Sequence, residues 1–328
     1  MGFAIENNFA IRQAKERIRQ QDGVVVEVSA RQIPTVAANA TYQQNDREIS
    51  SAFPASDRAW AINLTASQVL YAGGGVNASV RSSQLVRESA VLDLQATIND
   101  ALLVVRTNYY GVLLAREKIT VQEKNLELLQ EQLKTATDRF NAGTISSFER
   151  LRSEVAVANA KFPLITARND FRLAVESLRQ SLGFTTNLPD QIDKLPVFLG
   201  TLEFSPTSFD LIAALEASRA KRPELQRLAK LAASREQTVT VAGANALPNV
   251  SAFGGWELRK GSGSAFRESH DGWRIGVQSQ WNIFDGRATA GRVAQARSVL
   301  EQTKLSLAEF QLASDVEVRR AFSQWQQA

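Results

Sequence analysis

His270 is the only histidine in a chain of 328 residues, and Glu268 and Asp271 flank it, so general acid–base catalysis is the first chemistry to weigh. No nucleophile elbow or orienting partner is spaced around it, and a lone histidine in a polar loop reads as exposed surface. Two glycine clusters suggest phosphate cradles. "GSGS" (261–264) has no helix start behind it, and "YAGGG" (71–75) lacks the spacing and strand–helix–strand context of a dinucleotide fingerprint. The chain has no Cys, which removes disulfides and thiolate chemistry. With one His, a metal site built on His or Cys clusters is close to excluded. The net charge is +4, and the Lys and Arg runs are broken by Glu and Asp. That pattern suits solvated helix faces rather than nucleic-acid binding. The expectation is no enzyme activity, no cofactor, no metal and no nucleic-acid partner.

The elements carry more information than any single residue. "WRIGVQSQWNIFDGRATAGRV" (273–293) repeats the pattern of "WAINLTASQVLYAGGGVNASV" (60–80) at a constant offset of 213 residues. Trp60 corresponds to Trp273, Ile62 to Ile275, Tyr71 to Phe284, Gly73 to Gly286 and Val80 to Val293. Each copy writes an alternating strand, an aromatic, a glycine and then a helix. The first repeat, 1–207, holds a helix ended by Pro34, strands at about 35–43 and 60–71, a helical hairpin at about 76–182 and a connector. The second, 208–328, holds helices at about 208–246, strands at about 249–258 and 273–284, and a long helix from about 288.

In the hairpin Val91, Ile98, Val105, Val112, Ile119, Leu126, Leu133 and Phe140 fall seven apart, a sustained heptad stripe. A helix over 76–140 would be roughly 100 Å long at 1.5 Å per residue, longer than a compact core requires. Val157, Leu164, Phe171 and Leu178 repeat the spacing in the second arm, where Pro163 is expected to kink the helix. "RFNAGTISSFER" (139–150) is a helix–turn–helix tip with Gly143 at the turn.

No apolar run approaches the roughly 18 residues of a spanning helix, a test that is blind to β-barrels. Four strands leave two open edges, and barrel closure takes at least about eight strands, so several copies must contribute. The apolar face is expected to meet lipid through Trp60, Ile62, Leu64, Trp273, Ile275, Val277 and Trp281. Trp273 and Trp281 would then lie roughly 20 Å apart along the barrel axis. Strict alternation places Tyr71 and Phe284 on the other face, where they are expected to plug the strand-to-helix junction. The lumen is expected to be lined by Asn39, Thr41, Asn63, Thr65, Gln278, Gln280 and Asn282, polar and uncharged, as suits a passive conduit.

Together "LPNV" (247–250), "WRIGVQSQWNIFDGR" (273–287), "WAINLTASQVLYAGGG" (60–75) and "RFNAGTISSFERL" (139–151) make the chain resemble the TolC family of outer-membrane efflux channel proteins. The resemblance implies an α+β membrane protein with a duplicated strand–strand–long helix–helix repeat. It implies a homotrimer whose four strands per chain close a twelve-stranded barrel in outer-membrane lipid, continued by a periplasmic α-helical barrel. The implied function is the exit duct of a tripartite efflux pump or type I secretion system, for small molecules or proteins. The implied partners are a periplasmic adaptor protein and an inner-membrane transporter. It also makes Arg139, Phe140, Asn141, Gly143, Thr144, Ile145 and Glu149 the adaptor-docking tip. Thr144 stands where the family usually has a bulky apolar residue. Glu149 falls where an acid often lies near the tunnel constriction; from the residues alone it is equally a solvated helix charge. The alternatives are a periplasmic adaptor protein, which would lack the duplication, and a coiled-coil scaffold, which would lack the strands.

Both ends of the sequence read as cut within helices. The expectation is a fragment of a longer chain that continues by about 70 residues, with a second tip glycine near position 356, one repeat offset past Gly143.

Overall fold

The computed structural model describes residues 2–46, 58–185, 195–203, 206–260 and 268–327. The "GSGS" run, residues 47–57 of the first polar loop and residues 186–194 of the connector lie outside the described residues. The chain forms two compact units, Met1–Glu16 with Leu94–Phe209, and Arg17–Asp93 with Asp210–Ala328.

The first unit is helical. It draws on α1 (Gly2–Asn7), α2 (Phe9–Ser29), α3 (Gly75–Asn141) and α4 (Ser147–Leu182). α3 runs 67 residues without a break. Asn8 separates α1 from α2 and serves both sides of the gap. Its Oδ1 accepts from the Ala10 and Ile11 amides at 2.9 and 3.3 Å, and its Nδ2 donates to the Ser181 carbonyl at 2.7 Å. The heptad positions do what their spacing demands: Val157, Leu164, Phe171 and Leu178 are all buried, with Ala160 and Ala167 beside them. Phe171, Val175 and Leu178 pack with Val105 and Val112 of α3 and Ala4 of α1. Each of these larger side chains contributes about 1.5–3 kcal/mol by leaving water. The α3 stripe is buried at Val105 and Val112 and opens at both ends, where Val91 is 43% and Phe140 37% exposed. Pro163 removes one donor, yet α4 continues through it. The connector is strapped to α3 by Arg116, whose Nη1 and Nη2 donate to the Phe198 and Gly200 carbonyls at 2.7 and 2.9 Å.

The second unit is built on one antiparallel sheet of order β1-β2-β3-β4: Thr35–Gln44, Arg58–Ala72, Asn249–Lys260 and Ser269–Gln280. The central pair, β2 with β3, joins the two sequence repeats, so the repeats meet inside one sheet. β4 begins four residues earlier than its alternation suggests and stops at Gln280. Trp281, Asn282, Ile283 and Phe284 lie beyond it, because the chain must leave the ladder to turn at Gly286.

Helices α5 (Leu211–Lys221), α6 (Pro223–Ala244) and α7 (Ala288–Gln327) complete the unit. Asp210 caps α5, and Pro223 opens α6 where its missing donor costs nothing. Ion pairs tie the helices: Lys230 to Glu88 at 2.6 Å, Arg17 to Asp93 at 3.1 Å and Arg219 to Asp315 at 2.6 Å. The strand-to-helix turns share backbone geometry at the repeat offset. Gly73 and Gly74 have φ of 57° and 78°, and Gly286 and Arg287 have 65° and 72°.

Candidate functional site

Register, not proximity in sequence, decides which side chains share a face of the sheet. Asn39 pairs with Asn63, Ala37 with Thr65 and Thr41 with Ala61. Asn63 continues to Glu257, and Thr65 to Gly255 and then Arg274. Gln278 pairs with Ser251, and Gln280 with Asn249. The polar residues Asn39, Thr41, Asn63, Thr65, Gln278 and Gln280 therefore lie on one face. On the other, Tyr42 pairs with Trp60, Ala40 with Ile62 and Ala38 with Leu64. Leu64 then meets Trp256, which meets Trp273, and Ile275 and Val277 follow on the same side. Ile275 and Val277 are 77% and 67% exposed, although they sit on the apolar face of a four-stranded sheet.

Several expectations change here. Asn282 and Trp281 are not strand residues. The Trp281 indole instead donates to the Ala246 carbonyl at 3.0 Å, at the junction that precedes β3. Phe284 is 85% exposed, so among the described residues it does not plug the strand-to-helix junction. Tyr71 changes face. A β-bulge between Val69 and Tyr71 takes one residue out of register, so Tyr71 pairs with Val250, and Val250 with Ser279 on the apolar side. The apolar face thus carries Trp60 near one end of β2 and Tyr71 near the other, about 36 Å apart along the strand. His270 lies within β4, opposite Arg259 on the polar face. Its neighbour Asp271 points to the opposite face, where it accepts from the Trp256 indole at 3.2 Å, so the two cannot form an acid–base pair.

The sequence reading missed charge on the polar face. Arg259 and Glu257 lie there 3.8 Å apart, and Arg274 lies there beside Phe253. The parity that identified Gln278 also marks Arg274, since both alternate with Ile275 and Val277. The Tyr71 shift has no such signal, because nothing in "SQVLYA" announces a bulge.

The hairpin tip closes on a Schellman turn. The Gly143 amide donates to the Phe140 carbonyl at 2.9 Å, and the Thr144 amide to the Arg139 carbonyl at 2.9 Å. Thr144 adds its hydroxyl to the same Arg139 carbonyl at 2.9 Å. Gly143 has φ of 74°, the left-handed conformation that glycine adopts without strain, and an added Cβ would meet no atom within 4 Å. Ser146 caps α4 by accepting from the Glu149 amide at 3.4 Å. The Arg150 guanidinium lies 5.3 Å from the Phe140 ring centroid. Arg139, Ile145 and Glu149 line one groove of ≈ 450 Å³ with Leu128 and Ala136. Asn141, Gly143 and Thr144 belong to the turn itself. Phe148, 68% exposed beside them, is an apolar tip residue that the sequence reading passed over.

A family model described as "Outer membrane efflux protein" matches residues 2–184. The chain belongs to the outer membrane efflux protein family. It is 25% identical to the protein CyaE of Bordetella pertussis, over 98% of this chain and 67% of that protein. It is 23% identical to the outer membrane efflux protein BepC of Brucella suis, over 99% of this chain and 68% of that one. The chain spans about two thirds of the length of these two relatives. The solved outer-membrane channel OprN superposes with a TM-score of 0.80 at 20% identity, covering 99% of this chain and 73% of OprN.

This efflux-family chain is therefore an outer-membrane channel protein that extends into the periplasm, and its fold is TolC-like. The comparisons give the adaptor alternative no support. Among the described residues no helix is long and apolar enough to cross a membrane. Among the same residues no group of three or more His, Asp or Glu is placed to hold a metal ion. At the second strand-to-helix turn Asp285 accepts from the Thr289 hydroxyl and amide at 2.5 and 2.7 Å. Those bonds hold its carboxyl below the usual carboxylate range, the hydroxyl contributing most.

Proposed function

We propose that three copies of this chain close a twelve-stranded barrel that serves as the passive exit duct of an efflux assembly, with the polar face of the sheet lining the lumen. The observation that carries this is the sheet itself. Its faces differ in polarity along all four strands, and β1 and β4 offer unpaired edges. An edge is a liability in a lone sheet and a joint in a barrel. One chain has too few strands to close, and copies joined β4 to β1 satisfy every edge. In this arrangement Trp60, Ile62, Leu64, Trp273, Ile275 and Val277 meet lipid. Trp281 and Tyr71 join the aromatic belt on the periplasmic side, their polar tips at the wet interface. Asn39, Thr41, Asn63, Thr65, Gln278 and Gln280 line the water-filled path. The duct has no chemistry of its own: it is not an enzyme, and cargo is driven by an inner-membrane transporter.

The α3–α4 turn is the docking point for a periplasmic adaptor protein. Arg139, Phe140, Asn141, Gly143, Thr144, Ile145 and Glu149 surround it, the turn is exposed, and each copy presents one, so weak contacts add through avidity. The test is membrane fractionation of cells carrying the full-length gene, followed by the mass of the detergent-extracted particle. A particle of three copies from the outer membrane is expected. A single copy, or a particle confined to the soluble fraction, overturns the reading.

A further inference from the structure

We infer that Phe253 and Arg274 form a binding platform for aromatic organic anions on the polar face of the sheet, so that the duct favours such cargo. The inference rests on the polar face being the water-filled lumen.

The local geometry shapes this pair. The Arg274 guanidinium carbon stands 6.0 Å from the Phe253 ring centroid, at the outer limit of a cation–π contact, so the ring does not consume the cation's donors. Glycines sit across the strand from both: Gly276 opposite Phe253, and Gly255 opposite Arg274. A Cβ on Gly276 would come within 2.7 Å of Cζ of Phe253, so the ring lies across the bare backbone of β4. A Cβ on Gly255 would come within 2.6 Å of the Leu64 carbonyl oxygen, so β2 and β3 approach closely there. The next residues along these rows are Thr65 and Ser67, both small. The result is a flat aromatic surface with an adjacent guanidinium and no bulky neighbour in the two rows.

Glu257 is the only acid among the described strand residues of this face, and it is 3.8 Å from Arg259. Among the described residues no carboxylate pairs with Arg274, whose guanidinium stands beside the Phe253 ring. A guanidinium presents a planar fork of donors matched to a carboxylate or sulfonate, and a phenyl ring offers its face to a second flat ring. A molecule with both groups, an aromatic carboxylate or sulfonate, engages both residues together. An aliphatic anion engages one, and an aromatic cation is repelled. In a three-copy barrel the platform occurs three times at one level.

The test uses full-length protein in lipid nanodiscs and 1-naphthalenesulfonate, with binding read by fluorescence anisotropy. Hexanesulfonate and 1-naphthylmethylammonium serve as competitors. Naphthalenesulfonate is expected to bind more tightly than hexanesulfonate displaces it. Arg274→Gln is expected to weaken binding about tenfold, the scale of one charge-assisted hydrogen bond, and Arg274→Lys to recover part of the loss. Phe253→Leu is expected to erase the preference for naphthalene over hexane while leaving the preference for anion over cation. A heat-modifiable oligomer on a gel checks that each variant folds, and the Lys and Leu variants carry the test if the Gln variant does not assemble. Unchanged binding in Arg274→Gln or, failing its assembly, an undiminished naphthalene preference in Phe253→Leu overturns the inference, as does a wild type with no anion preference. A wild-type particle that is monomeric or absent from the outer membrane overturns the duct reading instead, so the two failures are distinct.

Discussion

Replacing Gly143 separates a docking role from a folding role at the hairpin tip. Its φ of 74° costs a residue with a Cβ about 1–2 kcal/mol of backbone strain. The steric cost is nil, because an added Cβ meets no atom within 4 Å. The turn's two backbone bonds from Gly143 and Thr144 need only the same dihedrals, so the Schellman closure survives. Gly143→Asp is therefore expected to leave the oligomer intact while placing a charge on the docking surface of every copy. Gly73 supplies the internal contrast. It too has positive φ, 57°, but a Cβ there would lie 2.7 Å from the Ala244 carbonyl oxygen, against backbone that cannot yield cheaply. Gly73→Ala is expected to lower the amount of folded oligomer, and Gly143→Asp is not. The assay is heat-modifiable oligomer in outer-membrane fractions, with site-specific crosslinking to the adaptor and drug susceptibility of cells carrying the full-length variants. Normal crosslinking and full resistance in Gly143→Asp cells would refute the docking role. Equal loss of oligomer in both variants would refute the strain argument.

Three further outcomes follow from the geometry. Val277→Arg is expected to block barrel insertion, since an arginine facing lipid costs about 2–4 kcal/mol at the midplane in each copy, whereas Gln278→Arg assembles; the heat-modifiable band on a gel tells them apart. Phe171→Ala is expected to destabilise the helical unit by about 3–5 kcal/mol, because Phe171 is buried and its ring meets Phe198 edge-on at 6.3 Å; chemical denaturation of the full-length protein measures it. Glu88 and Asp315 are held below their ordinary range, chiefly by hydrogen bonds from Lys230 and Arg219. A lowered carboxyl contributes stability that is complete above its unfolded value and is lost as pH falls through the folded one. Thermal stability should therefore drop below about pH 4, and the drop should be smaller in Asp315→Asn.

What was legible in the sequence was periodicity. The seven-residue spacing of Val157, Leu164, Phe171 and Leu178 is a statement about one helix face, and that face is buried. The alternation in "WAINLTAS" likewise sorts Ile62 from Asn63 without a structure. Ends and exceptions were not legible. A strand stops where its hydrogen-bonded partner stops, so residues 281–284 continued the pattern of β4 without belonging to it. The bulge that moves Tyr71 depends on its partner Val250 in β3, 179 residues later in the chain, and local pattern carries no trace of it. Arg274 was legible by parity but is one charge among many in the sequence. Its meaning came from Phe253 and Gly276, which only the β3–β4 register brings together. The ties from Lys230 to Glu88 and from Arg219 to Asp315 join helices distant in sequence and had no local signature.

A duct of this kind needs a sheet with one wet and one lipid-facing side in the membrane. These 328 residues contain no Cys, and full-length protein without the new cysteines gives the background to subtract. Ile62→Cys, Asn63→Cys, Leu64→Cys and Thr65→Cys along β2, with Arg274→Cys and Ile275→Cys on β4, would be placed in full-length protein in intact outer membranes. Each would be exposed to a water-soluble maleimide and, separately, to a lipid-soluble one. Strict alternation is expected: the 63, 65 and 274 positions react with the aqueous reagent, and the 62, 64 and 275 positions with the lipid-soluble one. Equal reaction of neighbouring positions with both reagents, or alternation of the opposite phase, would contradict it.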